Sequence, residues 1–152
     1  MTTDKLIKEL NLLLSDFHIY YQNVRGFHWN IKGKRFFELH GKFEELYTEA
    51  LTNIDEIAER ILPIGGNPLH TFEDYVNNSN LTVYKDVSND VDSVTAIHSQ
   101  LGKLVERESS VKKIAIACED NETEDMMIAL INAQQKTMWM FKSWLGEEVE
   151  AN

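Results

Sequence analysis

Apolar side chains recur at the helical period along most of the chain, and this periodicity constrains the possible folds more than any other feature. A first stripe runs over residues 6–31, about seven helical turns, and a second runs over residues 36–61. The 152 residues include only seven glycines and two prolines, and both prolines lie within residues 63–68. Since helix breakers are this rare, the sequence predicts long helices.

Two further stripes follow in the second half of the chain. The third is expected to begin at an N-cap, Ser88, and to continue to Cys118. The fourth is expected to begin at another N-cap, Thr123, and to stop at Gly146. The sequence therefore predicts four long helices.

The connections between the stripes predict how the helices are arranged. Short turns make the first and second helices one antiparallel hairpin, and the third and fourth helices another. Residues 62–87 form a long connection, within which residues 71–76 are expected to form a short extra helix. The predicted fold is all-α, a ferritin-like four-helix bundle with the short helix in the crossover between helices two and three. At this length, residues 1–152 fit a single domain.

Charge and composition exclude several classes of protein. The formal net charge of −10 opposes the attraction that supplies most non-specific nucleic-acid affinity, and it suits the handling of cations. The N-terminus lacks the pattern of a secretory signal, and no apolar run approaches membrane-spanning length. The single cysteine, Cys118, is interpreted as a small buried hydrophobe, and excludes an intrachain disulfide. We expect a soluble cytoplasmic protein with no membrane partner.

The second predicted helix has a polar strip, defined by His40, Glu44, Asp55 and Glu59, beside its apolar stripe. His40 and Glu44 are spaced i, i+4, as are Asp55 and Glu59, so each pair projects from adjacent turns. One such pair is usually solvated surface. An imidazole with three carboxylates beside the core is a more specific pattern and indicates a metal-ligand set.

The polar strip does not make a metal site within one chain. The Glu-x-x-His spacing of a one-chain di-iron bundle is absent from the sequence. Glu44 and Asp55 lie ~16 Å apart along the helix, whereas metal–ligand bonds are only about 2 Å long. Two copies of the helix, packed antiparallel across a two-fold axis, would bring the His40 end of one against the Asp55 end of the other. The spacing predicts that oligomerisation creates the sites.

His28 is a further candidate ligand. It precedes His40 by twelve residues, across a tight turn, and is expected to point at the same region. Alone, such a histidine is more often a packed core or surface residue. Imidazole and carboxylate ligands together suit iron or manganese and also zinc, and the ligand types do not choose among these metals. The carboxylates favour an oxidisable hard cation.

The region from residue 26 to residue 66, GFHWNIKGKRFFELHGKFEELYTEALTNIDEIAERILPIGG, resembles the signature of the Dps family, small ferritin-like proteins of starved bacteria. The resemblance includes the segments HWN at residues 28–30, LH at 39–40 and DEIAER at 55–60. The later segments TEDM and MWMF, at residues 123–126 and 138–141, are similar to the family's fourth helix. The resemblance therefore covers almost the whole chain.

This resemblance implies a hollow dodecamer with ferroxidase centres between two-fold-related subunits. It assigns His28, His40 and Glu44 to one subunit's share of each centre, and Asp55 and Glu59 to its partner's share. The spacing of the polar strip had independently predicted such a geometry.

Other residues take roles only through the resemblance. Trp29 is similar to the family tryptophan beside the centre, a possible electron donor; on sequence alone it would be a core residue. Glu44 stands where many members carry the shorter Asp. Asp120 and Asp125 resemble the acidic residues of the three-fold iron-entry pores, although helix-start electrostatics explains Asp125 equally well. Only four residues precede Lys5 and the chain end is acidic, so DNA binding through a basic arm is not expected.

The resulting hypothesis is a ferroxidase that takes Fe(II) into a cage, oxidises it, preferably with hydrogen peroxide rather than oxygen, and stores ferric mineral. Two other classes of function remain open on the sequence. One is a DNA-compacting protein in which metal binding is incidental, and the other is a helical scaffold whose polar strip is solvated surface.

Overall fold

The structure, a computed structural model, describes residues 2–147 and is all-helical in that region. The helices are α1 (Thr3–Asn30), α2 (Phe36–Ile61), α3 (Phe72–Asn78), α4 (Asp90–Ala117) and α5 (Asn121–Trp144). The predicted all-α ferritin-like bundle, with a short helix in the crossover, is confirmed. None of the helices in the described region has the length and apolar character needed to span a bilayer.

The four long helices bury one continuous apolar core. Helix α1 packs along α2 and α4, α4 packs along α5, and α3 rests on α1. Among the core side chains that are less than 2% exposed are those of Leu10, Phe17, Phe43, Ile57, Ile97, Leu104 and Met127. Burying each such side chain contributes about 1.5–3 kcal/mol, so this core accounts for the packing of long helices whose own propensity is modest.

Two predicted helix starts are wrong by one to three residues. The N-cap of α4 is Asn89, whose side-chain oxygen accepts from the N–H of Asp92 at 3.0 Å. Ser88 does not cap the helix, and its backbone oxygen accepts from the Lys32 N–H at 3.0 Å, which ties the α1–α2 turn to the start of α4. The N-cap of α5 is Asp120, whose carboxylate accepts a hydrogen bond from the N–H of Thr123. Thr123 is not the cap, and it is fully buried.

The predicted ends agree with the structure. Helix α2 ends at Ile61, just before Pro63. Helix α5 ends where Gly146 adopts a positive φ of 77°, which a residue with a side chain adopts only at a cost. Cys118 is the C-cap of α4 and is half-buried against the core, so it is less buried than predicted.

The long crossover is anchored to α1 through polar contacts and an aromatic stack. Thr71, predicted as the first residue of the short helix, is instead the N-cap of α3, which continues two residues beyond the predicted end at residue 76. The Tyr75 ring stacks on His18 with ring centroids 3.7 Å apart. Burial lowers the pKa of His18 to about 4, which keeps the stacked ring neutral. The buried Asp16 carboxylate accepts from the Ser79 hydroxyl and the Asn80 N–H, and it also binds Arg107. These contacts hold the connection against the bundle.

Candidate metal centre

Two histidines from adjacent helices form the centre of the candidate site. His28 lies near the end of α1 and His40 in the second turn of α2, on either side of the turn containing Gly33, whose φ is +119°. Their rings stack with centroids 3.8 Å apart and an interplanar angle of 15°. The Phe36 ring stacks on the other face of His40 at 4.8 Å. Both imidazoles are therefore fixed in orientation before any ligand binds.

Reciprocal backbone contacts determine which nitrogen of each ring is available. Nδ1 of His28 lies 2.7 Å from the backbone oxygen of His40, and Nδ1 of His40 lies 2.8 Å from the backbone oxygen of His28. A carbonyl only accepts hydrogen bonds, so each Nδ1 must carry the proton. In the neutral rings, both Nε2 atoms then keep a lone pair, the state in which imidazole binds a metal.

Glu44 extends the pair by one turn of α2. Its Oε1 lies 3.9 Å from Nε2 of His28, and its side chain is 61% exposed. The Tyr47 hydroxyl approaches the same oxygen at 3.5 Å, while the Tyr47 ring meets His28 edge-on with centroids 5.2 Å apart. Desolvation and the Glu44 charge raise the pKa of Tyr47, so its phenol stays protonated. Sequence reasoning placed Tyr47 only in the apolar stripe, although its i+3 spacing from Glu44 was a usable signal.

Asp55 and Glu59 do not join this cluster within one chain. Both are exposed on α2, about four to five turns beyond His40. Within residues 2–147, no three histidine, cysteine, aspartate or glutamate side chains come together as a metal-binding group. Within one chain the His28 and His40 rings stack and Glu44 approaches His28 at 3.9 Å, while Asp55 and Glu59 lie apart from both histidines.

Trp29 is not a core residue of the single chain, so the interpretation from sequence alone is wrong. Its ring is 57% exposed, and the Arg25 guanidinium lies 4.8 Å from the ring centroid. A large exposed ring beside the site is available for contact with another molecule or another copy.

The two aspartates predicted at the pore differ in their surroundings. Asp120 has a largely buried carboxylate that accepts from the Thr123 N–H and hydroxyl and pairs with Arg60 at 3.0 Å. Burial opposes its ionisation, but the bonds from Thr123 and Arg60 outweigh burial and hold the pKa of Asp120 below its usual value. Asp125 is exposed one turn later. The Asp120 carboxylate therefore caps the start of α5, whereas the Asp125 side chain faces solvent.

Comparison with known proteins identifies the family. The family model for the ferritin-like domain matches residues 7–149. The "DNA protection during starvation protein 2" of Bacillus anthracis is 35% identical over 145 residues, covering 94% of this chain and 98% of that protein.

Solved structures of Dps proteins are similar to this chain over nearly its full length. The crystal structure of the Dps protein from Vibrio cholerae, a member of a broad superfamily of ferritin-like diiron-carboxylate proteins, has a TM-score of 0.93 and 37% identity. That likeness covers 94% of this chain and 90% of the Vibrio chain. The Staphylococcus aureus Dps structure has a TM-score of 0.90 and 35% identity, with 97% of each chain covered. Because both the family model and these relatives span nearly the full length, the chain belongs to the Dps family of ferritin-like proteins.

Proposed function

We propose that this protein oxidises Fe(II) at centres shared between two copies and stores the ferric product inside a cage. The observation that supports this most directly is the reciprocal contact of His28 and His40, in which each Nδ1 is held by a backbone oxygen and Nε2 is the ring nitrogen left for a metal. Nε2 of His28 lies 3.9 Å from Oε1 of Glu44. The arrangement is half of a ligand set.

In the proposed centre, His28, His40 and Glu44 of one copy bind Fe(II) together with Asp55 and Glu59 of a second copy. Neutral imidazoles and carboxylates bind Fe(II) and also hold Fe(III), whose higher charge the carboxylates stabilise further. Two Fe(II) ions each lose one electron, and one hydrogen peroxide takes up both electrons with two protons to give two waters. Hydrolysis of the ferric ions then releases protons and deposits ferric oxyhydroxide.

Exposed apolar side chains support assembly into a cage, which we propose to be a dodecamer. Phe37 and Phe72 are 87% and 86% exposed, and Val76 and Val83 near Phe72 are also exposed. Apolar groups at this level of exposure favour burial against other copies. Asp120 and Asp125 are the proposed pore residues, and the cytoplasm is the proposed compartment.

The test is oxidation of Fe(II) by hydrogen peroxide, followed through ferric absorbance in wild type and in the His40→Ala/Asp55→Ala variant. We expect the double variant to lose most of the acceleration over the protein-free rate. Glu56→Ala, which removes an exposed carboxylate of α2 outside the polar strip, should keep the wild-type rate. Equal rates in wild type and double variant, with the assembly intact by size exclusion, would contradict the assignment.

The relatives' name, DNA protection during starvation, makes DNA compaction the second candidate function. The net charge of −10 opposes it, and removal of iron and peroxide together protects DNA without contact. Gel retardation at physiological salt separates the two, because an acidic cage should leave DNA unshifted. A shifted band that disappears at high salt would favour direct binding.

A further inference from the structure

Glu44 requires orientation if it is to act as a ligand. It has one more methylene than the Asp of many family members, which adds a rotatable bond and roughly 1.5 Å of reach. Its carboxylate is 61% exposed, so rotamer freedom competes with any single binding geometry. A neighbouring group that restricts this carboxylate would lower the entropic cost of binding metal.

Tyr47 is the group placed to do this. Its hydroxyl lies 3.5 Å from Oε1 of Glu44, a long hydrogen bond to the oxygen that also faces His28. The i+3 spacing puts both side chains on one face of α2.

The Tyr47 ring is itself held in place from two sides. It meets His28 edge-on at an interplanar angle of 76°. On another side, it contacts Tyr21 with ring centroids 6.0 Å apart, and the Arg25 guanidinium lies 5.1 Å from the Tyr21 ring centroid. Because these contacts come from α1, the hydroxyl of Tyr47 is a fixed point relative to the histidine pair.

We propose that Tyr47 is a positioning residue that holds the long Glu44 arm at the histidine pair through the contact of its phenol with Oε1 of Glu44. This inference rests on the proposed function. It predicts that Tyr47 affects metal binding only when residue 44 is long enough to reach the phenol.

Titration with Co(II), followed by its visible absorption spectrum, tests the proposal in the assembled protein. We expect Tyr47→Phe to weaken Co(II) binding about tenfold and to change the absorption bands, in line with the usual effect of losing a group that orients a ligand. Tyr21→Phe is the matched control, because it removes a hydroxyl from the same aromatic cluster but not the one at Glu44, and it should behave as wild type.

A double-variant cycle separates orientation from simple loss of packing. In a Glu44→Asp background the shorter carboxylate does not reach the phenol, so adding Tyr47→Phe should change Co(II) affinity little. Tyr47→Phe behaving as wild type, or weakening binding equally in both backgrounds, would overturn the proposal.

The same titration distinguishes failure of this inference from failure of the proposed function. If wild type binds Co(II) and His40→Ala does not, the centre stands, and the Tyr47 variants alone decide the inference. If wild type and His40→Ala bind Co(II) equally, the proposed centre is wrong and the role of Tyr47 falls with it.

Discussion

At the scale of single residues, Glu108 is the most unusual group in the molecule. It is fully buried in α4, and within the described residues neither of its carboxyl oxygens nor Oε1 of the buried Gln134 has a hydrogen-bond partner. Three acceptors without a donor are costly, and a proton on Glu108 supplies the missing donor. Burial raises the pKa of Glu108 to about 8, with the neighbouring Gln134 amide opposing the shift. Glu108 is therefore mainly neutral at pH 7.

This protonation makes stability depend on pH. The pKa of Glu108 is higher in the folded chain than the ordinary 4.5, so the folded state retains a proton that the unfolded chain loses between about pH 4.5 and about pH 8. The stabilisation that Glu108 contributes is fully present below that window. It is lost as the pH rises through the window, by at most about 1.4 kcal/mol per pH unit.

Glu108→Gln should remove this pH dependence of stability, because the glutamine amide has nearly the shape of the carboxyl group and keeps a hydrogen-bond donor but does not ionise. Thermal unfolding of wild type and variant at pH 5, 6, 7 and 8 should show the variant gaining on wild type as pH rises. Glu106→Gln, on an exposed neighbour in α4, should follow wild type. Parallel curves for wild type and Glu108→Gln would show that Glu108 ionises normally.

Asp120 and Asp125 are expected to differ in their contribution to stability. Asp120→Ala removes the N-cap of α5 and the partner of Arg60, so we expect a loss of about 1–2 kcal/mol in the free energy of unfolding. Asp125→Ala removes an exposed carboxylate and should change stability by less than about 0.5 kcal/mol. Denaturant unfolding of both variants checks the difference. Equal effects would mean that Asp120 does not stabilise the start of α5.

At the scale of elements, the turn after α2 packs closely against the start of α1. A Cβ added at Gly66 would lie 2.6 Å from Cγ2 of Ile7 and 2.8 Å from Cγ2 of Ile61. Both isoleucines belong to packed helices, so neither methyl group is free to move away. The end of α2 therefore sits against the start of α1 only because residue 66 has no side chain.

Gly66→Ala should destabilise the protein by about 1–3 kcal/mol through overpacking. Gly102→Ala is the control, because a Cβ there meets only the end of Met138 at an ordinary 3.5 Å, within the long helix α4. That change should be neutral or stabilise by up to about 1 kcal/mol. Chemical denaturation of the two variants compares them, and a Gly66→Ala protein as stable as wild type would mean that the turn relaxes freely.

At the scale of the whole molecule, one chain presents half of the proposed ligand set and several exposed apolar side chains. His40 and Asp55 both lie on α2 but are too far apart to meet, so a second copy must supply the rest of the proposed centre. Each two-fold contact would create two equivalent centres, each with ligands from both copies.

Complementation between inactive chains tests this sharing. A chain with His28→Ala/His40→Ala and a chain with Asp55→Ala/Glu59→Ala should each oxidise Fe(II) poorly. When they are co-expressed at equal levels, half of the pairs are mixed and each mixed pair has one intact centre. About a quarter of the centres should then regain activity, measured as peroxide-driven ferric absorbance. A mixed assembly as inactive as its parents would contradict a shared centre.

The amino-acid sequence alone was enough for the architecture. Apolar periodicity located the long helices, including the ends of α2 and α5. It does so because apolar residues at the helical spacing form a stripe on one face of a helix, and that stripe must be buried against other helices. The spacing of His40 and Asp55 also showed that one chain would not complete a metal site, since helical rise converts sequence separation directly into distance.

The tertiary structure decided what depends on partners distant in the chain. Several residues near Ser88 and Thr123 are able to cap a helix. Asn89 is the cap of α4, next to Ser88, whose backbone oxygen binds the Lys32 N–H, and Asp120 is the cap of α5, where its carboxylate binds Arg60. The available nitrogens of His28 and His40 likewise follow from carbonyl oxygens across a turn. The raised pKa of Glu108 follows from its burial among the packed helices. Hydrogen bonding and desolvation act over a few ångströms in space, and no periodicity in the sequence records those distances.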